Sequence, residues 1–394
     1  MKRTLAFGGI VAAAGLLAAG LAAPAQAAGD VAADPLANTG IAARNVAGFW
    51  LAENAANLVG ATPYDVETKV VAKHISTGGP AADSKPGVVP AIGDEKKSTA
   101  KSKNVNLPKT SGKVFFIGAD KSKHWCTATS IQSAYKNLVA TAGSCVYDTV
   151  SNKATLDKWV FVPGYYQGKT PWGVYVGKQA FTHYDFDVYE DGDRDYAFVT
   201  VYNGVKFPPG GWGDVNKPSD LGSFVEVSEA TWKQYESWMK FKSQSGKYYI
   251  FKFIDAGRLG DNVGGQGLAY NQKVGKPVFV FGYPSGSHPD GNYAYSGKTL
   301  KWSYGKTFAA SAAAIKAEEL VGVKSSFTGE GALGSSWLVG YKNTRRLGYL
   351  NGVTIGVSDT DSNNRYDTSV SPYFDGELYG VYSAAKNLWS GSIA

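Results

Sequence analysis

The sequence predicts an all-β protein, a barrel or sandwich built from two halves, and three observations predict it. From Lys113 onward short apolar runs recur: Val114-Phe115-Phe116-Ile117, Trp159-Val160-Phe161-Val162, Tyr196-Ala197-Phe198-Val199, Val278-Phe279-Val280-Phe281 and Val353-Thr354-Ile355-Gly356-Val357. Each is rich in β-branched or aromatic residues and is bounded by Gly, Pro, Asn or Asp, the pattern of many short strands. Long helical periodicity is nearly absent, and no repeat of fixed period is visible, which speaks against a propeller or solenoid. With 394 residues, 44% apolar and 13% aromatic, the chain can bury one large core or two medium ones, so a small disulfide-stapled scaffold and wholesale disorder are both excluded.

The elements follow in chain order. Lys2 and Arg3 form a positive start, Leu5 to Ala22 is a run of apolar and small residues, and Ala25-Gln26-Ala27 offers small residues where a signal peptidase reads. Residues 1–27 are therefore predicted to be a secretory signal peptide cut after Ala27 or nearby. A membrane anchor is the alternative for a run of this length. Its Ala/Gly richness, the cleavage motif and the lack of a cationic stop weigh against it, and no Cys lies near the cut for lipid attachment. The mature protein is expected to be secreted, free of the membrane and monomeric. Loss of Lys2 and Arg3 lowers the formal charge from +7 to about +5, a mild excess that suits weak attraction to an anionic surface and not a nucleic-acid partner.

Residues 28–112 read as a propeptide-like helix followed by a disordered linker. Ala42 to Ala61 is predicted to be a short amphipathic helix with Val46, Phe49, Trp50, Ala55 and Leu58 near one face, closed by Pro63. From about Ser76 to Ser111 the composition shifts to Gly, Pro, Ser, Ala and Lys, with Glu95-Lys96-Lys97 and Lys101-Ser102-Lys103, too polar to order itself. The main domain is predicted at 113–388, with an insertion at about 208–260 carrying Trp212, Trp232 and Trp238. Within it Glu229 to Ser243 and Phe374 to Leu388 are the two helical stretches, the second with Leu378, Val381, Tyr382 and Ala385 on one face.

Cys126 and Cys145 are the only cysteines, 19 positions apart. In an exported chain they are expected to form a disulfide, contributing about 3 kcal/mol by loop closure, in preference to two free thiols or a metal site. Asp359-Thr360-Asp361-Ser362-Asn363 with Asp367 has the start of a calcium loop, but Asn364 and Val370 stand where such a loop needs Gly and a bidentate acid. It reads as a polar turn, and Asp185, Asp187, Glu190, Asp191 and Asp193 read as a solvated acidic loop. The Gly-rich stretches lack a phosphate-loop ending. No metal and no cofactor are expected.

Around the cysteines the sequence resembles a family. Cys126-Thr127-Ala128-Thr129, followed by Leu138-Val139-Ala140-Thr141-Ala142-Gly143-Ser144-Cys145, is similar to the bacterial, actinobacterial-type secreted trypsin-like (chymotrypsin-fold) serine peptidases. Further matches run in family order: Phe161-Val162-Pro163-Gly164-Tyr165, Asp195-Tyr196-Ala197-Phe198-Val199, Val263-Gly264-Gly265, Phe281-Gly282-Tyr283-Pro284 and Ser371-Pro372-Tyr373-Phe374. The resemblance implies two antiparallel six-stranded β-barrels with a C-terminal helix. It also implies a damaged triad. Asp195 is the retained carboxylate, but Ser144 stands where the family places its His. The nucleophile segment reads Thr328-Gly329-Glu330-Gly331-Ala332-Leu333-Gly334-Ser335-Ser336-Trp337, one residue longer than the family's. Aligned on Trp337 it puts Leu333 at the nucleophile position, and aligned on Thr328 it puts Ala332 there. A further family disulfide is replaced by Ser303 and Ser325.

A Ser hydroxyl attacks a peptide carbonyl only when a positioned imidazole takes its proton. Ser144 cannot titrate near neutrality and Leu333 has nothing to deprotonate. Loss of triad members lowers rates by roughly six orders of magnitude. His74, His124, His183 and His288 all lie away from the triad position. The expectation is thus an inactive homologue that binds a peptide, a protein partner or cell-wall material; a peptidase with rearranged or residual activity at Ser335 or Ser336 is the alternative.

Overall fold

The computed structural model describes residues 30–65, 69–93, 105–151, 154–208 and 223–394. The leader 1–27, the Lys clusters of 95–103 and Trp212 lie outside the described residues.

The described residues begin with β1 (Val31–Pro35) and a helix, Gly40–Val59. Thr39 caps this helix by accepting the Ala42 N–H, and Gly60 closes it. The buried stripe is Ala43, Ala47, Trp50, Leu51 and Leu58, close to the expected face, and the Trp50 Nε1–H donates to the Lys158 carbonyl at 2.6 Å. Three short strands follow: β2 (Thr62–Pro63), β3 (Lys73–His74) and β4 (Gly87–Val89).

The first barrel comprises β5 (Ser111–Ile117), β6 (Lys123–Ile131), β7 (Leu138–Thr141), β8 (Asp157–Pro163), β9 (Tyr175–His183) and β10 (Ala197–Val201). Antiparallel pairing runs β5–β6–β7–β10–β9–β8 and back to β5, so six strands close on themselves and leave no free edge. Val114 and Phe116 on β5 point into this barrel, whereas Phe115 joins a separate cluster with Trp50 outside it, as strand alternation requires.

The described part of the insertion is largely β. A ribbon pairs β11 (Gly204–Lys206) with a later strand, and a three-stranded sheet holds β12 (Phe224–Val227), β13 (Lys240–Lys242) and β14 (Tyr248–Phe251) before β15 (Ile254–Gly257) completes the ribbon. The helix expected over Glu229–Ser243 is confined to Glu229–Lys233. Phe241 pairs with Tyr249 across the sheet, and the Trp232 Nε1–H donates to the Phe241 carbonyl. These cross-strand contacts outweigh helix propensity in the second half of the stretch. Trp238 and the buried Met239 dock on the N-terminal helix at Gly48, where a Cβ would meet the Met239 sulfur at 2.4 Å.

The second half contains β16 (Gly267–Tyr270), β17 (Pro277–Gly282), the small hairpin β18 (Ser285–Gly286) and β19 (Tyr295–Ser296), then β20 (Lys301–Ala312), β21 (Ala317–Lys324), β22 (Ser336–Lys342), β23 (Leu347–Val353), β24 (Gly356–Ser358) and β25 (Thr368–Pro372). Pairings run β22–β17–β20–β21–β25–β24. β23 pairs with β22, and β23 runs into β24 through Thr354 and Ile355. The bent segment 347–358 thereby closes a second six-membered ring. The run Val353–Val357, expected as one strand, is the bend itself: the Thr354 N–H donates to Ser335 and the Ile355 N–H to Val370, so the chain changes partner strands without losing its bonds. The C-terminal helix, Gly376–Ala385, is capped by Asp375 and buries Leu378, Val381, Tyr382 and Ala385, the expected face. The fold is all-β in two barrels with a C-terminal helix, as the sequence predicts.

The helix expected before residue 112 is present, whereas the described residues of the expected loose linker, and the strands ahead of it, are tied to the barrels. β1 pairs with β9, β2 lies parallel to β6, β3 pairs with β20 and β4 with β16. Asp83 accepts hydrogen bonds from Asn271 and from the Gly376 N–H. Composition understated this segment because its strands bury little of their own; they are held by backbone bonds to edges that the barrels supply.

Candidate functional site

β7 and β10 are hydrogen-bonded neighbours, with Thr141 opposite Ala197. The turn that leaves β7 and the turn that enters β10 therefore meet at one end of the first barrel. The first is the 3₁₀ turn Gly143–Cys145 and carries Ser144; the second, Gly192–Arg194, delivers Asp195. Asp195 Oδ1 accepts the Ser144 N–H at 2.8 Å, and Oδ2 accepts the Ser144 hydroxyl at 3.2 Å. Both residues are buried. Gly143 permits the approach, since a Cβ there would lie 2.5 Å from the Phe186 ring and 3.1 Å from Asp195 Oδ1. The Ser144 hydroxyl directs its one proton at a carboxylate and has no basic nitrogen to offer.

The disulfide Cys126–Cys145 is formed, Cα to Cα 6.2 Å, and ties β6 to this turn. Ser303 and Ser325 sit on or just beyond neighbouring strands. Continuing the register from Thr307 opposite Val323 places Gly305, not Ser303, across from Ser325.

Leu333 occupies a tight loop between β21 and β22 and is 1% exposed, its side chain within the main core. Ala332 beside it is buried as well, so either alignment of the segment puts an apolar, buried side chain at the nucleophile position. Thr127 on β6 fastens the loop to the first barrel. Its N–H donates to the Leu333 carbonyl at 2.9 Å and its hydroxyl to the Gly331 carbonyl at 2.8 Å. The fit is close at Gly334, whose φ is +79° and where a Cβ would stand 2.0 Å from the Thr127 oxygen. Ser335 donates its hydroxyl to the Ala332 carbonyl at 2.6 Å; Ser336 is buried, and its hydroxyl has no hydrogen-bond partner among the described residues.

The four imidazoles are engaged elsewhere. His124 faces Asp120 and Thr62, His183 accepts the Asp185 N–H, His288 accepts the Tyr366 N–H, and His74 packs on Phe308. Burial lowers the pKa of both His183 and His288. The acidic loops are occupied by backbone capping. Asp359 accepts the Asn363 and Asn364 N–H groups, and Asp193 accepts those of Glu318 and Glu319. Among the described residues no group of three or more His, Cys, Asp or Glu side chains is arranged to hold a metal ion.

The site holds one feature that sequence reasoning missed. The strap formed by β2 and Tyr64 runs through the seam between the barrels. The Tyr64 N–H donates to the Trp125 carbonyl at 2.9 Å, and the Tyr64 carbonyl accepts the Gly331 N–H at 3.1 Å. Its ring is buried against Phe116 and His124, at centroid distances of 5.0 and 5.3 Å. In the serine-protease template the oxyanion is held by the N–H of the nucleophile and that of the residue two before it. On the alignment that puts Leu333 at the nucleophile position, Gly331 would be that second donor, and its N–H is bonded to the chain's own backbone. Pro63 signalled only the end of a helix; nothing local in Pro63-Tyr64-Asp65 indicates a partner more than 250 residues away.

No family model and no curated protein sequence matches the chain. Among solved structures it is similar to the protease Anisep from Arthrobacter nicotinovorans, with 22% identity over 71% of this chain and 97% of that one, at a TM-score of 0.49. The thermostable serine protease AL20 from an extremophilic microorganism is similar at 20% identity, 71% and 97% coverage and a TM-score of 0.48. A Glu endopeptidase follows at 14% identity, 74% and 98% coverage and a TM-score of 0.42. The two-barrel architecture rests on the strand pairings described above, and the solved structures it is similar to are serine proteases.

Proposed function

We propose that the protein is a secreted, catalytically inactive homologue of the trypsin-like serine peptidases that acts by binding a peptide, a protein partner or cell-wall material. The observation that carries this reading is the buried Ser144 hydroxyl bonded to Asp195, at the place where the resemblance expects an imidazole. Leu333, buried in the core, supports it from the nucleophile side. The Tyr64 carbonyl on the Gly331 N–H supports it from the oxyanion side. Secretion is supported by the leader-like start and by the disulfide, which persists in an oxidising compartment. On this reading cleavage near Ala27 leaves a mature chain that keeps the segment from residue 30 onward, because β1, the first helix and the strap are built into the barrels.

The test is labelling of the purified protein with a serine-directed fluorophosphonate, read by intact mass. No adduct is expected. Stoichiometric modification at any serine, Ser335 and Ser336 included, would overturn the inactive reading.

A further inference from the structure

Lys113 is a buried lysine with no carboxylate partner among the described residues. Lys113 and Phe115 face outward from the first barrel while Val114 and Phe116 face in, and Lys113 keeps only 3% of its surface exposed. Among the described residues no acidic side chain and no hydrogen-bond acceptor reaches its Nζ. Three rings surround it: Trp125 at 3.1 Å from Nζ to the ring centre, Tyr165 at 4.5 Å and Tyr283 at 5.4 Å. The cage is fixed, since the Tyr283 hydroxyl donates to the Tyr165 carbonyl at 2.8 Å. Burial pushes the lysine pKa well below its ordinary value, and no neighbouring charge opposes that shift. Ring faces attract an ammonium, but they do not replace the hydration it loses.

The same side chain lines a cavity of about 530 Å³ beside the strap. One wall is apolar, from Val59, Ala61 and Pro63; another is aromatic, from Trp125 and Tyr165; Tyr293 stands at the mouth, largely exposed. Gln167, Ser285, Ser296 and the exposed Lys298 add polar groups to the lining, so Lys113 is its buried basic anchor. A volume of this size with apolar and aromatic walls and a few placed polar groups is the usual form of a small-molecule or chain-end site.

We propose that this cavity binds an organic carboxylate with an aromatic or aliphatic body, its carboxylate seated on Lys113 Nζ and its body against Trp125 and Tyr165. The ligand supplies the negative charge that the protein omits, in surroundings where a charge-assisted hydrogen bond is strong. The inference does not depend on the loss of catalysis, so an active protein would leave it standing.

Two matched pairs of probes test it on the full mature chain by calorimetric titration. The first pair is 3-phenylpropionate and 3-phenylpropanamide; the second is a short peptide ending in Phe with a free carboxylate and the same peptide amidated. The acid is expected to bind at least about tenfold more tightly than its amide in one pair or both. Preference in the first pair points to small free acids, and preference in the second alone to peptide chain ends. Lys113→Met, which keeps the length and removes the charge, is expected to abolish the preference while melting no earlier than the parent. Lys298→Ala at the rim is expected to keep it. Equal binding of acid and amide in both pairs, no binding at all, or full acid preference in Lys113→Met would overturn the proposal.

Discussion

Tyr64→Ala measures whether the strap is an integral part of the two-barrel structure. The ring is 3% exposed and packs within the main core, edge-on to Phe116. Truncating a buried aromatic to Ala costs about 3–5 kcal/mol, the spread depending on how far the site collapses. The strap's backbone bonds to Trp125 and Gly331 can still form, and bonds of this kind contribute about 1 kcal/mol each. A loss of about 3 kcal/mol is therefore expected, read as a lowered urea midpoint with an unchanged slope. Because the Tyr64 carbonyl is the acceptor for Gly331, amide exchange at Gly331 is expected to accelerate in the same variant. A loss below about 1 kcal/mol together with unchanged exchange at Gly331 would refute the reasoning, for the strap would then be a loosely laid arm.

Other outcomes follow from the same contacts. Replacing Cys126 and Cys145 by Ala is expected to cost about 3 kcal/mol in equilibrium unfolding, since the bridge closes a loop of 19 positions; an unchanged midpoint would contradict this. Burial pushes the Asp375 carboxyl up to about 6, so between about pH 4 and 6 the folded state keeps a proton that the unfolded chain has lost. That contribution is complete at low pH and is lost as pH rises through 6, on the order of 3 kcal/mol. Asp375→Asn preserves the cap on Leu378 and is expected to flatten this part of the stability–pH curve; the same slope in the variant would rule the assignment out. Ser144→His combined with Leu333→Ser is expected to show no turnover of small esters, because the Gly331 N–H remains bonded to Tyr64. Ester turnover by that variant would refute a block at the Gly331 N–H.

Much of the architecture was legible in local pattern. Runs such as Trp159–Val162 and Val278–Phe281 became β8 and β17 because a β-branched or aromatic run flanked by turn residues has few other ways to bury itself. The C-terminal helix was equally legible from Leu378, Val381, Tyr382 and Ala385. Glu229–Ser243 was not, because Phe241 and Trp232 take their conformation from partners in β14 and across the turn. Ser144 and Asp195 were named from the resemblance, but their mutual hydrogen bonds depend on the pairing of β7 with β10.

By itself the sequence determined the all-β class, the placement of the two cysteines and the identities Ser144 and Leu333 at the positions where chemistry was expected. Those are properties of residue types and short-range order. Only the tertiary structure decided that β1 to β4 are woven into both barrels, that Tyr64 takes the Gly331 N–H, and that Lys113 sits inside a cage of rings with no carboxylate among the described residues. Each of these is a contact across a large gap in sequence. Backbone donors and buried charges carry no local mark of the partner they will meet, so the packing of the two barrels, not the order of residues, assigns them.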